Sequence, residues 1–220
     1  VTPTQFDYDV AIVGGGSGGY AAARTAAAAG LKTVVIEGGE YVGGLCILRG
    51  CMPTKTLLHA ADVMHQVSRA GVWGIRAGDV GFDFAAVMAR KDRLIREFAD
   101  FREQQLTDGR FQFVRALAKF RDPHTVELSD GRTLTAHHFI LSTGSRVSAP
   151  PMTALNEAGF ITSDAAQSLT ELPRSMIVLG GGAVAVEFAQ FFQRFGTQVT
   201  LIQRSEHILR DFDTDAAKVI

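Results

Sequence analysis

One glycine pattern occurs twice in this chain at a fixed spacing, and it decides most of what the chain can fold into. Gly14, Gly16, Gly19, Gly30 and Glu37 return 166 residues later as Gly180, Gly182, Ala185, Gly196 and Gln203. Each copy reads as an apolar run, a glycine cluster, a helical stretch, a closing glycine and a second β-branched run. In the first copy the strands are Asp9–Val13 and Lys32–Glu37, around a helix from Tyr20 to Ala29. In the second they are Met176–Leu179 and Gln198–Gln203, around a helix from Ala183 to Phe195. A glycine just past a helix supplies its left-handed cap. Strand, glycine turn, helix and strand make the βαβ unit of a parallel sheet. Five coincident positions are poorly explained by chance. The expected fold is α/β, with two Rossmann-like dinucleotide-binding units.

Between the copies, Thr54 to about Arg69 and Phe84 to Leu106 read as helices. The second carries Arg90, Lys91, Arg93, Arg96 and Glu97, which reads as a solvated face. Phe111–Phe120 and Thr125–Leu141 read as strands, with a hairpin turn at Asp130-Gly131. They form a small antiparallel excursion from the first unit. Pro150-Pro151 marks a domain boundary, and Leu172-Pro173 a break before the second unit. Residues 1–150 are therefore expected to form the first domain and 151–220 an incomplete second one.

Composition removes several function classes. Lys+Arg 22 against Asp+Glu 23 leaves net charge −1, with no basic excess for nucleic acid or an anionic membrane. No apolar run approaches the ~18 residues of a membrane span. Val1–Asp9 has neither a basic n-region nor an apolar h-region. Two cysteines do not make a disulfide-stapled secreted scaffold. A cytoplasmic protein is expected.

Gly14, Gly16 and Gly19 spell G-x-G-x-x-G. The first glycine allows the tight turn, the second lets a pyrophosphate reach the backbone, and the third lets helix and strand pack closely. The helix N-terminus around Ser17 and Gly18 then meets the anion with free N–H groups. Glu37 stands where a carboxylate accepts hydrogen bonds from a ribose. In the second copy Gly180, Gly182 and Ala185 repeat the device, but Gln203 replaces the acid and Arg204 follows, with Arg210 further on. A carboxylate would repel a 2′-phosphate, whereas guanidiniums bind it. This reads as NADPH rather than NADH. Two charge-assisted contacts of about 1.5 kcal/mol each would give on the order of 100-fold preference, less where solvent screens them. The alternative is two ordinary surface arginines.

Cys46 and Cys51 lie in G-G-L-C-I-L-R-G-C-M-P-T-K, residues 43–55. Pro53 suits a first helical turn. Cys51 then sits at a helix N-terminus, where the dipole favours a thiolate. A redox-active dithiol, metal ligands and inert thiols are the competing readings. Metal is the poorest, because His59 and His65 read as ordinary helix residues and no ligand pair stands nearby.

This segment resembles the N-terminal FAD segment of the class I pyridine nucleotide-disulfide oxidoreductases, the family of dihydrolipoyl dehydrogenase, glutathione reductase and mercuric reductase. Its G-G-x-C-x4-G-C-x-P-[ST]-K signature is specific. Ser142-Thr143-Gly144-Ser145 is similar to the family's A-T-G-S segment, and Gly180–Glu187 to its second dinucleotide motif. The resemblance spans the whole chain. It implies that hydride passes from NADPH to FAD, then to a Cys46–Cys51 disulfide, then to a small-molecule disulfide or related substrate. Cys46 matches the interchange thiol and Cys51 the thiol on the flavin. Lys55 matches the lysine near the flavin, and Glu187 its ion-pair partner from the other domain. Gly44, Ala118, Thr143, Gly144 and Ser145 match FAD contacts.

The departures are Leu48 for the usual Asn, Arg49 where Val is common, and Ala183 for the Tyr that covers the nicotinamide pocket in glutathione reductase. They favour a dihydrolipoyl-dehydrogenase-like or mercuric-reductase-like relative. Arg49 beside the dithiol would suit an anionic substrate. Family members are longer and end in a dimerisation domain with a His-Glu pair, so a homodimer is expected of the full-length protein. His207 and His137-His138 are not in that motif, and the chain is expected to be the N-terminal part. A silent nucleotide-binding module has no need of the cysteines with Lys55. A flavin enzyme with a non-thiol acceptor has no need of the cysteine pair.

Overall fold

The computed structural model describes residues 6–148 and 151–220. Pro150, half of the expected Pro-Pro boundary, lies outside the described residues. The first copy of the repeat gives β1 (Tyr8–Val13), α1 (Ser17–Ala28) and β2 (Thr33–Glu37). Then come α2 (Gly44–Leu48), α3 (Cys51–Ser68) and α4 (Phe84–Leu106). Four strands follow, β3 (Gln112–Arg115), β4 (Ala118–Asp122), β5 (Thr125–Leu128) and β6 (Thr133–Leu141). Two short helices, α5 (Thr153–Ala158) and α6 (Ser163–Ala166), precede the second copy: β7 (Ser175–Leu179), α7 (Ala183–Arg194) and β8 (Gln198–Ile202). The last element is α8 (Thr214–Val219).

Six strands make one sheet in the order β3-β2-β1-β6-β5-β4. β1 runs parallel to β2 and β6, and β2 parallel to β3. β6 joins two patterns. Thr133–Thr135 pair antiparallel with β5, while Ala136–Leu141 continue parallel beside β1. The expected strand over 111–120 is two strands. The chain leaves the parallel edge at Ala116, whose N–H donates to the Glu37 carbonyl, and Leu117 N–H turns to Ser129 Oγ at 3.0 Å. The 125–141 stretch likewise divides at the expected turn, with Gly131 at φ 86°.

The chain folds as two compact units, one of residues 1–52 and 94–146, the other of residues 53–93 and 147–220. In the first, successive β1 residues bury on opposite sheet faces. Val10 and Ile12 pack with Tyr20, Ala23, Val35 and Leu106, and Ala11 with Val34, Ile36, Val126 and Leu134. A parallel sheet covered on both faces needs this continuous apolar run.

In the second unit α7 and its C-cap residue Phe195 present Phe188, Phe191, Phe192 and Phe195, a 3.6-residue stripe, to Leu57, Ala61, Phe84 and Met88. β7 and β8 are parallel partners from Ser175↔Gln198 to Leu179↔Ile202. The charged face expected of α4 needs one correction. Lys91 is 5% exposed and donates to the Gln167 carbonyl at 2.7 Å, with Asp92 also at its ammonium. A long aliphatic stem lets it bury while its head finds an acceptor. Among the described residues no helix is long and apolar enough to cross a membrane.

Candidate functional site

In the first unit the glycine turn connects β1 to α1 at the carboxyl end of the parallel strands. Gly14 has φ 107°, and a Cβ there would overlap the Ser142 carbonyl. A Cβ at Gly19 would overlap the Gly14 carbonyl. These two glycines are thus fixed by close approach, as the motif requires. Gly16 caps α1 without any side-chain hydrogen bond, and no acid stands in the first turn at Ser17, Gly18 or Gly19. The free N–H groups and bare backbone of this turn fit a pyrophosphate. Thr143 N lies 3.2 Å from the Gly14 Cβ position, so the exposed Thr143-Gly144-Ser145 loop borders the same turn.

Glu37 ends β2 with both carboxylate oxygens on backbone. Oε2 accepts from Gly15 N–H and Oε1 from Gly39 N–H, each at 2.7 Å. It therefore latches the glycine turn to the strand end. Each oxygen keeps a lone pair that a ribose hydroxyl could use. Arg115 secures the loop behind it, donating to the carbonyls of Gly39 at 2.9 Å and Glu40 at 3.1 Å and pairing with Glu103. Nothing in the sequence singled out Arg115. The parallel register Glu37↔Arg115 explains it, and register needs the sheet order. Ala118 is half-buried at the start of β4 and lines an open cleft of about 430 Å³ with Leu117, Ser129 and Gly131.

Cys46 lies within α2 and Cys51 opens α3, and both are free thiols. Burial pushes the Cys46 thiol up, as does the neighbouring Cys51, and a hydrogen bond with Ser17 opposes them. Among the described residues no group of three or more His, Cys, Asp or Glu could hold a metal ion.

In the second unit Lys55, on α3, pairs with Glu187 on α7. The resemblance placed these residues in different domains. They come together inside one compact unit, because residues 53–93 pack with 147–220. The second glycine turn repeats the first. Gly180 has φ 123°, and Gly182 caps α7 without a side-chain bond, one residue before Ala183 and three before Ala185. Gln203 leans over Gly181 and donates to the Ser205 carbonyl at 2.8 Å. Leu209, at φ 52°, donates to the Gly181 carbonyl at 2.7 Å, which ties the 204–210 loop back to the turn. Arg204 and Arg210 are exposed, and Arg210 touches Asp211 at 3.3 Å.

Residues 8–220 match the family model of pyridine nucleotide-disulphide oxidoreductases. The chain is 33% identical over 217 residues to a mercuric reductase from Bacillus cereus, covering 98% of this chain and 34% of that enzyme. It is 34% identical over 214 residues to a dihydrolipoyl dehydrogenase from Acholeplasma laidlawii, covering 95% and 63%. In structure it is similar to the HOCl-induced flavoprotein disulfide reductase RclA from Escherichia coli, with TM-score 0.81 and 28% identity. That match covers 96% of this chain and 45% of that one. The chain belongs to the pyridine nucleotide-disulphide oxidoreductase family, whose members bind FAD and a pyridine nucleotide. It spans between about a third and two thirds of the length of these relatives.

Proposed function

We propose that this chain is the nucleotide-binding part of an FAD-dependent disulfide oxidoreductase that takes its electrons from NADPH. Residues 1–150 would serve as the FAD-binding domain and 151–220 as the beginning of the NADPH-binding domain. Gly14, Gly16, Ser17, Gly18 and Gly19 would hold the pyrophosphate of FAD, Glu37 its ribose, and Gly44, Ala118, Thr143, Gly144 and Ser145 would line the remainder. Gly180, Gly182 and Ala185 would receive the second pyrophosphate, and Gln203, Arg204 and Arg210 the 2′-phosphate. Bound FAD would supply a two-electron carrier between nicotinamide and sulfur. Two electrons and two protons convert a Cys46–Cys51 disulfide into two thiols, and Cys46 then attacks a small-molecule disulfide or related acceptor. The Lys55–Glu187 pair would fix an ammonium near the flavin. The full-length protein would act as a cytoplasmic homodimer.

The observation that carries this reading is the close approach of Gly44 to Gly16, which brings the helix that holds Cys46 to the N-terminus of the dinucleotide-binding helix. The test is a thiol count. Full-length protein oxidised and loaded with FAD should gain two reactive thiols per chain when NADPH is added without oxygen. Alkylation should map them to Cys46 and Cys51. An unchanged count, with the flavin bound, would reject the reading.

A further inference from the structure

The first unit has a small cleft at the end of its sheet that lies away from the glycine turn. Tyr8 opens β1, Lys32 precedes β2 and Gln112 opens β3, and parallel pairing brings the three to one end of the sheet. β1 has six residues, so this end lies about 16 Å from Val13 and the turn that follows it. With Asp7, these side chains line an opening of about 230 Å³, and Arg132 and Thr133 complete its wall. Val114, Leu128 and Leu134 also line it, and all three are buried side chains of the sheet core. The volume equals about eight water molecules. That suits a free amino acid and is too small for a dinucleotide.

The charges of this cleft are unevenly satisfied. Arg132 is paired with Asp130 at 2.6 Å. Asp7 accepts from the Thr135 N–H and from Thr135 Oγ1, each at 2.8 Å, and both bonds end on Oδ2. Asp7 Oδ1 therefore has no donor among the described residues. The Lys32 ammonium lies over the Tyr8 ring, 5.3 Å from its centroid, and has no carboxylate partner among the described residues. Tyr8 Oη donates to Gln112 Oε1, which leaves the Gln112 Nε2 hydrogens for a ligand. Burial, and then the Asp7 charge, push the Tyr8 hydroxyl above its ordinary pKa, with Arg132 opposing, so it stays a donor.

We propose that this cleft binds a free α-amino acid with an apolar side chain. The ligand carboxylate meets the Lys32 ammonium and the Gln112 amide, the ligand ammonium meets Asp7 Oδ1, and its side chain lies on Val114, Leu128 and Leu134. Convergent polar groups over an apolar floor are what a small-molecule site needs. A simple anion fits less well, because Asp7 lines the same cleft and Asp9 accepts the Lys32 backbone N–H at 2.7 Å. A simple cation fits less well, because Lys32 and Arg132 both stand in the wall. A zwitterion satisfies both unpaired groups at once. The glycine turn and Gly44 belong to the opposite end of the sheet, so this site is independent of the redox reading.

The test is a titration of the full-length protein, as purified, with L-leucine, read by saturation-transfer NMR of the ligand. Binding should saturate at roughly millimolar concentration. Leucinamide lacks the carboxylate and isocaproate lacks the ammonium, and each should bind about fivefold more weakly or worse. Lys32→Met keeps an apolar stem over Tyr8. It should weaken leucine by about fivefold and leave leucinamide nearly unchanged. Asp7→Asn keeps an acceptor for Thr135. It should weaken leucine by about the same factor and leave isocaproate nearly unchanged. Should Asp7→Asn fail to fold, the Lys32→Met series decides alone. No saturation below about 20 mM leucine would overturn the proposal. So would isocaproate binding as tightly as leucine, which marks a site for anions only. Equal loss of all three ligands in Lys32→Met would also overturn it, since that marks a change of cleft shape and not of charge.

Discussion

Gly44 lies so close to Gly16 that a Cβ at Gly44 would stand 2.7 Å from the Gly16 Cα. Gly44 also has φ 62°, a region that costs an L-residue roughly 1 kcal/mol or more. The contact presses the start of α2, which holds Cys46, against the start of α1. Two segments of one motif-bearing unit therefore meet through bare backbone. Sequence separates them by 28 residues, the difference between positions 44 and 16.

Gly44→Ala should for this reason cost about 2 kcal/mol or more, from left-handed strain and overlap together. Urea unfolding of the apo-protein checks the stability, and FAD retention on a desalting column checks the site. A variant with wild-type stability and full flavin content would show that the backbones separate easily.

The exposed and buried charges of α4 should behave differently. Lys91 is buried on the Gln167 carbonyl, and Arg90 is exposed. Lys91→Ala should destabilise by about 1–3 kcal/mol, because it removes a buried charge-assisted hydrogen bond and the packing of its stem. Arg90→Ala should stay within about 0.5 kcal/mol. Thermal melts of the two variants, measured side by side, decide it.

The repeat made the two βαβ units legible, because the same positive φ recurs at Gly14 and Gly180 and at Gly30 and Gly196, which leaves glycine at a fixed spacing. Phe84–Leu106 was readable as a helix from its periodicity alone. What stayed hidden depends on register and on which way a long side chain turns. Arg115 becomes a partner of the Glu37 loop only when β3 is known to lie beside β2. Lys91 belongs to a run of charges that reads as solvent-facing, yet its place on the helix turns it inward to the Gln167 carbonyl. The Lys55–Glu187 pair was readable, whereas its location in one compact unit follows from residues 53–93 crossing over to α7.

The Lys55–Glu187 pair should matter far more for chemistry than for stability. Its side chains are 59% and 31% exposed, and such pairs contribute about 0.5 kcal/mol after screening. Glu187→Gln should leave the unfolding midpoint nearly unchanged while lowering the rate of NADPH-driven thiol formation at least several-fold in full-length protein. A large stability loss with an unchanged rate would make the pair structural.

Cofactor choice is the sharpest expectation of the second unit, because the two glycine turns supply an internal control. At the end of β2, Glu37 takes the N–H of Gly15 at 2.7 Å. At the end of β8, Gln203 leans over Gly181 instead and carries no charge. The next residue is Arg204, and the loop that follows is tied to the turn by Leu209 on the Gly181 carbonyl, which fixes the position of Arg210. The contact between Arg210 and Asp211 is exposed and holds it weakly. Both guanidiniums are thus available to a 2′-phosphate. In full-length protein, Arg204→Ala combined with Arg210→Ala should raise KM for NADPH more than tenfold, about 1.4 kcal/mol or more. KM for NADH should change little, since it presents no phosphate to these side chains. Raising salt should shrink the wild-type preference, because the contact is charge against charge at an exposed rim. A wild-type protein that already prefers NADH would refute the reading of Gln203 and Arg204.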